Sequence, residues 1–387
     1  MTAVAASSVD TPTSFDPVRI AREVGTIFAA RAKDPKDEDA FVADNFELLK
    51  TSGLVEAGVP AELGGGGCST DELAAMLRTL AYHCGSTALA FSMHTHQVAV
   101  PAWRWRHQPA ARAAVEPLLK RIASERIFIL SSGGSDWIEG SGKAEKVEGG
   151  YRITARKVFT SGAPTGSVFM TGAVLETEGE PPMVLHFGLP MNSPNVKVLD
   201  NWRALGMRGT GSHDVQIDGH VVPEAAVALK RKSGEWHMLF HIIATIAFPL
   251  VYAAYLGVAE SARDIAIGLA KRRTPSRHTI DLAGRMDTEL TAARLAHESM
   301  MAAIRLNAPS ATSVNQVMIG RQLVGRHAIA AVEYAMEVAG GAGFYRANGL
   351  ERRFRDIQAA RYHPLQAGPQ AEYTGSMALG LPVEHVY

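Results

Sequence analysis

A change of period in the middle of the chain constrains its fold more than any other feature. Between residues 126 and 232 the sequence passes through YRITARKVF from Tyr151, then SVFMTGAVLE, PPMVLHFGLP, NVKVLD and HDVQIDGHVV, parted by Gly, Pro and Asn. Short β-branched, alternating runs between such breaks predict strands, and their spacing predicts a compact β-barrel or sandwich. On either side the period is helical. Asp16-Pro17 reads as an N-cap followed by Pro at the first helical position, with Ile20, Val24 and Ile27 on one face. A second helix is expected from about Lys36 to Gly53, and Ser69-Thr70-Asp71-Glu72 is a capping box ahead of Leu73, Met76, Leu77 and Leu80. Late in the chain a helix from about Ser313 to Val338 ends at Gly340-Gly341. Helices, then strands, then helices, without βαβ alternation, argue against a Rossmann sheet. The expectation is an α+β multidomain chain: a disordered lead-in 1–15, an N-terminal helical domain 16–125, a central β domain 126–232 and a C-terminal helical domain 233–387.

Composition narrows the function classes. The 39 Lys and Arg balance 39 Asp and Glu, so nothing favours nucleic acid or an acidic membrane surface. Cys68 and Cys84 form no CxxC pair, and the 14 histidines show no metal-binding spacing; a reducing, cytoplasmic interior is expected and a metal is not. The N-terminus has neither the basic nor the apolar stretch of a signal peptide. Residues 242–259, IIATIAFPLVYAAYLGVA, carry no charge and reach the length of a membrane span. Pro249 interrupts them and a charged helical pattern continues them, so a helix buried on all sides is the better expectation. Leu63-Gly64-Gly65-Gly66-Gly67 lacks the Lys-Ser/Thr of a P-loop and reads as a connector.

Three stretches, in order, resemble the acyl-CoA dehydrogenase superfamily over nearly the whole chain. They are Gly58-Val59-Pro60-Ala61-Glu62-Leu63-Gly64-Gly65; Ala204-Leu205-Gly206-Met207-Arg208-Gly209-Thr210-Gly211-Ser212 with Val221-Val222-Pro223; and Glu337-Val338-Ala339-Gly340-Gly341-Ala342-Gly343-Phe344 followed by Arg355-Asp356. The resemblance implies an N-terminal helical domain, a central β-barrel and a C-terminal four-helix bundle. It also implies FAD, with FMN as the alternative, and a homotetramer or homodimer formed through the C-terminal helices. For the flavin ring it points to Ser131 or Ser132, in Leu130-Ser131-Ser132-Gly133-Gly134-Ser135-Asp136, a loop shorter than the family's Thr-Glu-Pro-Gly run. It points also to Lys157-Val158-Phe159-Thr160-Ser161, where Phe159 replaces Trp and Ser161 replaces Thr at the flavin N5 edge. For a pyrophosphate it implies Gly340, Gly341 and Arg273, while Glu337 stands where many members have Gln. His94, Ala247 and Phe248 fall along the family's substrate cavity. His94 and His96, two apart on a helix, point to different faces and make no metal pair.

Dehydrogenation of an acyl-CoA thioester, the family's default, needs a general base beside the substrate, normally a glutamate. The two family positions for it are Pro364, nine residues after Arg355, and Ala247 or Phe248; none accepts a proton. Glu260 and Glu372 are out of register. Beside Pro364 stands His363. Its tail, Arg361-Tyr362-His363-Pro364-Leu365, resembles the superfamily's two-component flavin monooxygenases, among them sulfur-heterocycle desulfurisation enzymes and amino-sugar nitrososynthases. Those take reduced flavin from a partner reductase. A histidine can hydrogen-bond an oxygen or move a proton near neutral pH, so His363, helped by Ser161, is the expected catalytic group of such an enzyme. Three functions follow: an acyl-CoA dehydrogenase using an electron-transfer flavoprotein, a reduced-flavin monooxygenase using a flavin reductase, and a non-catalytic flavin or acyl-CoA binding protein.

Overall fold

The computed structural model describes residues 15–32, 38–132 and 136–387. Residues 1–14 of the expected lead-in 1–15, the expected helix start at Lys36 and residues 133–135 of the serine-rich loop lie outside the described residues, while Phe15 packs against the helical core. Helices α1 (Pro17–Arg31), α2 (Ala43–Thr51), α3 (Thr70–His83), α4 (Gly85–His107) and α5 (Arg112–Glu125) come first. Asp16 accepts from the Val18 and Arg19 amides, and the Ser69–Glu72 capping box forms in both directions. Helix α2 begins later than the sequence predicts, because residues 38–42 form turns.

Strands β1 (Ile129–Ser131), β2 (Lys143–Val147), β3 (Gly150–Lys157), β4 (Val168–Leu175), β5 (Met183–Pro190), β6 (Val196–Val198), β7 (Val215–Pro223) and β8 (Val227–Lys232) make one eight-stranded sheet. Its order is β6-β7-β3-β2-β4-β5-β8, with β1 parallel to β4. The expected barrel is not formed. Closure would need β6 to pair with β8, but β6 bonds β7 and β8 bonds β5, so the sheet stays open. Irregularities at Ile153/Thr154 and His186/Phe187 bend it instead. Strand β3 alternates buried and exposed residues, as its sequence predicts.

Helices α6 (Met238–Ala270), α7 (Arg277–Arg305), α8 (Ala311–Ala339), α9 (Leu350–Ile357) and α10 (Ala367–Ala378) complete the chain. Three of these are long and two short, so no fourth long helix completes the expected bundle from this segment; α3 packs along α6 instead. Packing therefore groups what sequence order separates. The N- and C-terminal helices share one apolar core, and the sheet has its own, built on Ile153, Phe169, Phe187 and Ile217. Helix α6 is long and apolar enough to cross a membrane, but 94% of that apolar window is buried inside the fold. Its residues Leu250 to Leu256 are almost entirely covered by α3, α7 and α8, which explains the uncharged run.

Candidate active site

A cavity of about 840 Å³ opens where the sheet meets the helices. Ser131 and Ser132 reach it from β1, Phe159 and Ser161 from the turn after β3, and Trp202 to Ser212 from the segment before β7. Helix α4 adds Leu89 and Met93, α6 adds Tyr255, and the stretch after α9 adds Tyr362, His363, Pro364 and Leu365.

The loop before β7 and the start of the tail are locked together by backbone contact. A Cβ on Gly206 would stand 2.1 Å from the Arg355 carbonyl oxygen, closer than any side chain tolerates. Next to it the Met207 amide donates to Asp356 at 2.5 Å, inside a fully packed core. Burial raises the Asp356 carboxyl above its ordinary range, and that amide bond together with Arg352, Arg353 and Arg355 pulls against the rise. Both family-like stretches, Gly206-Met207 and Arg355-Asp356, thus meet at the cavity wall.

Two buried cations fix the wall at residues 136–141. Lys157 Nζ donates to Asp136 at 2.7 Å and to the carbonyls of Ser141 and Gly172 at 2.8 and 2.7 Å. Arg231 donates to the carbonyls of Trp137 and Ile138 at 3.2 and 2.5 Å and stacks on Phe240. A buried cation is tolerated only when its protons are taken up this way, so Trp137, Ile138 and Glu139 are held against the cavity. The Trp137 indole N–H is buried without a hydrogen-bond partner among the described residues.

On the opposite wall Phe159 has φ +55°, a region L-residues avoid outside special sites. Its ring stays 56% exposed at the mouth and meets Trp202 edge to face, 5.8 Å between centroids. Ser161 begins a row of hydroxyls. Its Oγ lies 2.8 Å from that of Ser212, which lies 2.7 Å from Thr210 Oγ1, and Thr210 donates to the Met207 carbonyl at 2.9 Å. When all three protons point down this row, Ser161 turns its lone pairs to the cavity. Ser131 and Ser132 have no side-chain hydrogen bond among the described residues and also face the cavity.

His363 stands beside Tyr255, 2.6 Å from its Nε2 to the phenol oxygen. Burial, reinforced by the Arg321 guanidinium, lowers its pKa to about 3, so the ring is neutral at working pH. Arg321 is itself buried and donates to the carbonyls of Ala360, Arg361 and His363 at 3.5, 3.4 and 2.5 Å, which pins the tail in place.

Other expected site residues fall elsewhere. Thr160 points into the core, fully buried, with its hydroxyl unpartnered among the described residues, while its neighbours Phe159 and Ser161 face the cavity. His94 does not line the cavity. Its Nε2 donates to the Val55 carbonyl at 2.8 Å and its Nδ1 accepts from the Ile129 amide at 3.0 Å, so it splices α4 to β1 as a core histidine. Ala247 and Phe248 are buried in α6 outside the lining, with Phe248 behind Trp137 at 5.6 Å. Arg273 lies beside Gly340, with Glu337 and Gly341 at the same turn, and none of the four lines the cavity. Glu260 is tied to Arg78 and Arg294. Among the described lining residues Glu139 is the one carboxylate, and it is exposed at the mouth.

Sequence reasoning missed Tyr255, Arg321, Trp137 and the Ser212–Thr210 row. Tyr255 left a signal: a tyrosine inside an uncharged buried helix must find a partner for its hydroxyl. Arg321 left a fainter one, as a cation flanked by Val317, Met318, Val324 and Gly325 on the apolar face of its helix. The lining as a whole has apolar and aromatic walls with three hydroxyls along one side, which fits a flat heteroaromatic ring with a polar edge.

Comparison with known proteins agrees with this geometry. Residues 20–118 match the acyl-CoA dehydrogenase N-terminal domain, and residues 250–366 match the acyl-CoA dehydrogenase C-terminal domain. Amino sugar nitrososynthase DnmZ of Streptomyces peucetius is 27% identical over 91% of this chain and 90% of its own length. Dibenzothiophene monooxygenase of Mycolicibacterium goodii is 26% identical over 90% of each. The solved structure of KijD3 in complex with FMN and a dTDP-linked amino keto sugar superposes with a TM-score of 0.86 at 26% identity, covering 97% of this chain and 96% of that one. With both terminal domains matched and the helix–sheet–helix order in place, the chain belongs to the acyl-CoA dehydrogenase superfamily.

Proposed function

We propose that this protein is a reduced-flavin-dependent monooxygenase rather than an acyl-CoA dehydrogenase. One observation carries the reading: His363 and Ser161 line a single apolar cavity, in which Pro364 stands at one expected base position while Ala247 and Phe248 lie outside the lining. Dehydrogenation needs a base at the substrate's α-carbon; this cavity offers only the exposed Glu139 among its described carboxylates. The related nitrososynthase and dibenzothiophene monooxygenase support the same direction.

FMN is the flavin of this reading, with FAD as the alternative. Ser131, Ser132 and Ser161 would serve the ring edge, and Phe159 and Trp202 would cover its face. Bound in its reduced form, the flavin activates dioxygen and delivers one oxygen atom to the substrate. Ser161 would accept from a ring N–H, Leu89 and Met93 would keep water from the inner wall, and His363 would hydrogen-bond on the substrate side. Glu337, an acid at the turn the family uses for a pyrophosphate, fits a flavin that has none. A separate flavin reductase as the source of reducing equivalents belongs to the same reading, which the likeness to dibenzothiophene monooxygenase supports. Between the charged lining residues Glu139, Arg203 and Arg355 the walls are apolar, which suits a small, largely apolar substrate. A homotetramer or homodimer belongs to the same reading, with Ile280 and Leu295, exposed on α7, available for a second copy.

Anaerobic titration tests this. Reduced FMN should bind, and an acyl-CoA panel should leave added oxidised flavin unbleached. Bleaching by any acyl-CoA would return the protein to the dehydrogenases, and failure of both flavin forms to bind would favour a protein without flavin chemistry.

A further inference from the structure

We infer that Tyr255 is a positioning residue that fixes His363 as its Nδ1–H tautomer, which makes His363 a hydrogen-bond donor to whatever occupies the cavity and not a base.

The inference follows from counting protons. Tyr255 is wholly buried in α6, and its hydroxyl has one partner among the described residues, His363 Nε2 at 2.6 Å. Two arrangements exist. In the first the phenol donates to Nε2, and the histidine proton sits on Nδ1. In the second Nε2–H donates to the phenol oxygen, and the phenol proton is left buried with no acceptor. Folded proteins avoid a buried O–H of that kind, so the first arrangement holds. The phenol stays neutral, because burial raises Tyr255 well above its ordinary range, and the imidazole stays neutral for the reasons given above. Neither group therefore carries a charge that would reverse the direction of the bond.

Nδ1 is the nitrogen left for the cavity. It makes no hydrogen bond to the described residues, it is not among the buried unpartnered atoms, and His363 lines the cavity. The ring cannot swing away. Tyr255 and Tyr252 flank it at 5.5 and 6.0 Å between centroids, and Arg321 holds the His363 carbonyl. Tyr252 donates its own hydroxyl to the Ala360 carbonyl at 2.7 Å, so it does not compete for Nε2. His94 reaches the opposite state through the same rule. Its Nδ1 accepts a backbone amide, so its proton sits on Nε2.

A neutral imidazole with Nδ1–H toward the ligand donates to an oxygen, nitrogen or sulfur lone pair and takes no proton from it. The tautomer itself does not depend on the proposed function; only the use made of it rests on that reading.

Nitrogen-15 spectroscopy of the ligand-free protein, labelled at histidine, tests the inference. The His363 signals are those missing from His363→Gln. In the wild type they should report a protonated Nδ1 and a bare Nε2. In Tyr255→Phe the proton should move to Nε2 in a large part of the population, with the other histidine signals and the circular dichroism unchanged. A wild-type His363 protonated on Nε2 would overturn the proposal, as would a Tyr255→Phe spectrum identical to wild type. The wild-type spectrum decides even if Tyr255→Phe does not fold. Loss of FMN binding with the Nδ1–H signature intact would instead strike the proposed function and leave the tautomer standing.

Discussion

Family resemblance drew attention to two regions, the cavity at the seam and the turn where α6 and α8 end, and the fold treats them differently. At the seam, residues far apart in sequence converge: Ser131, Ser161, Gly206, Tyr255 and His363 lie around one space. At the turn, Arg273, Glu337, Gly340 and Gly341 lie together but outside that space, and a Cβ on Gly341 would meet nothing within 4 Å. The lesson is that motifs of equal prominence in the sequence need not meet around one space. A motif becomes a site when other parts of the same chain close around it with complementary chemistry.

The largest contrast should appear between two glycines. Gly206→Ala forces a side chain against the Arg355 carbonyl, and should destabilise the fold by about 3 kcal/mol or more. Gly341→Ala should stay within about 0.5 kcal/mol. Thermal unfolding of both variants measures this, and equal melting temperatures would erase the distinction.

Activity should divide the regions next. With reduced FMN supplied by a reductase, His363→Ala removes a hydrogen-bond donor from the cavity and should lower oxygenation about 100-fold. Arg273→Ala should change it by less than roughly threefold, about 0.7 kcal/mol. A large loss in Arg273→Ala would bring the turn back into the site.

Acid should act on the seam first. Burial lowers His94 and His96 to about 4 and His363 to about 3. A histidine whose folded pKa lies below its unfolded value of about 6.5 contributes stability that is complete above 6.5 and is lost as pH falls toward the folded pKa, because the unfolded chain then binds more protons. Lowering the pH from 7.5 to 5 should cost on the order of 2 kcal/mol for each of His94 and His96. Hydrogen exchange, corrected for intrinsic rate, should show residues 127–131 and 358–366 losing protection before 337–345. Simultaneous loss in all three would mean that acid does not distinguish the regions.

The smallest effect concerns the hydroxyl row. Ser161→Ala should weaken reduced FMN by about 1 kcal/mol, whereas Glu337→Gln should leave its affinity unchanged. Calorimetry under anaerobic conditions reads both.

What the sequence made legible was whatever depends on neighbours along the chain. Caps at Asp16 and Ser69, alternation in β3 and the burial of 242–259 are local patterns, and each is present in the structure. Closure of the sheet is not local. It depends on whether β6 and β8 meet, which no strand's own residues state. The cavity follows the same division. Ser131, Ser132, Phe159, Ser161 and His363 were placed by motif register and do converge. Thr160 went astray because the turn after β3, with Phe159 at φ +55°, carries its side chain into the core between two neighbours that face the cavity. His94 went astray because a helix bordering a cavity also has a face toward the core. Tyr255 and Arg321 belong to no motif, and their meaning appears only when the carbonyls and ring nitrogen they serve are in view.

The open sheet has a further consequence, for solubility. A path of strands that does not close ends in an edge strand on each side, here β6 and β8, with unpaired backbone groups on which another chain can add a strand. One edge, β6, is only three residues long. The other, β8, carries Lys230, Arg231 and Lys232, with both lysines exposed. A short edge and a charged edge are the ordinary defences against aggregation. Arg231 thus belongs to two systems at once, holding the cavity wall at Trp137 and Ile138 from within the strand whose flanking lysines keep other chains away. Replacing Lys230 and Lys232 by threonine would leave the site untouched and expose the protein to strand-by-strand association.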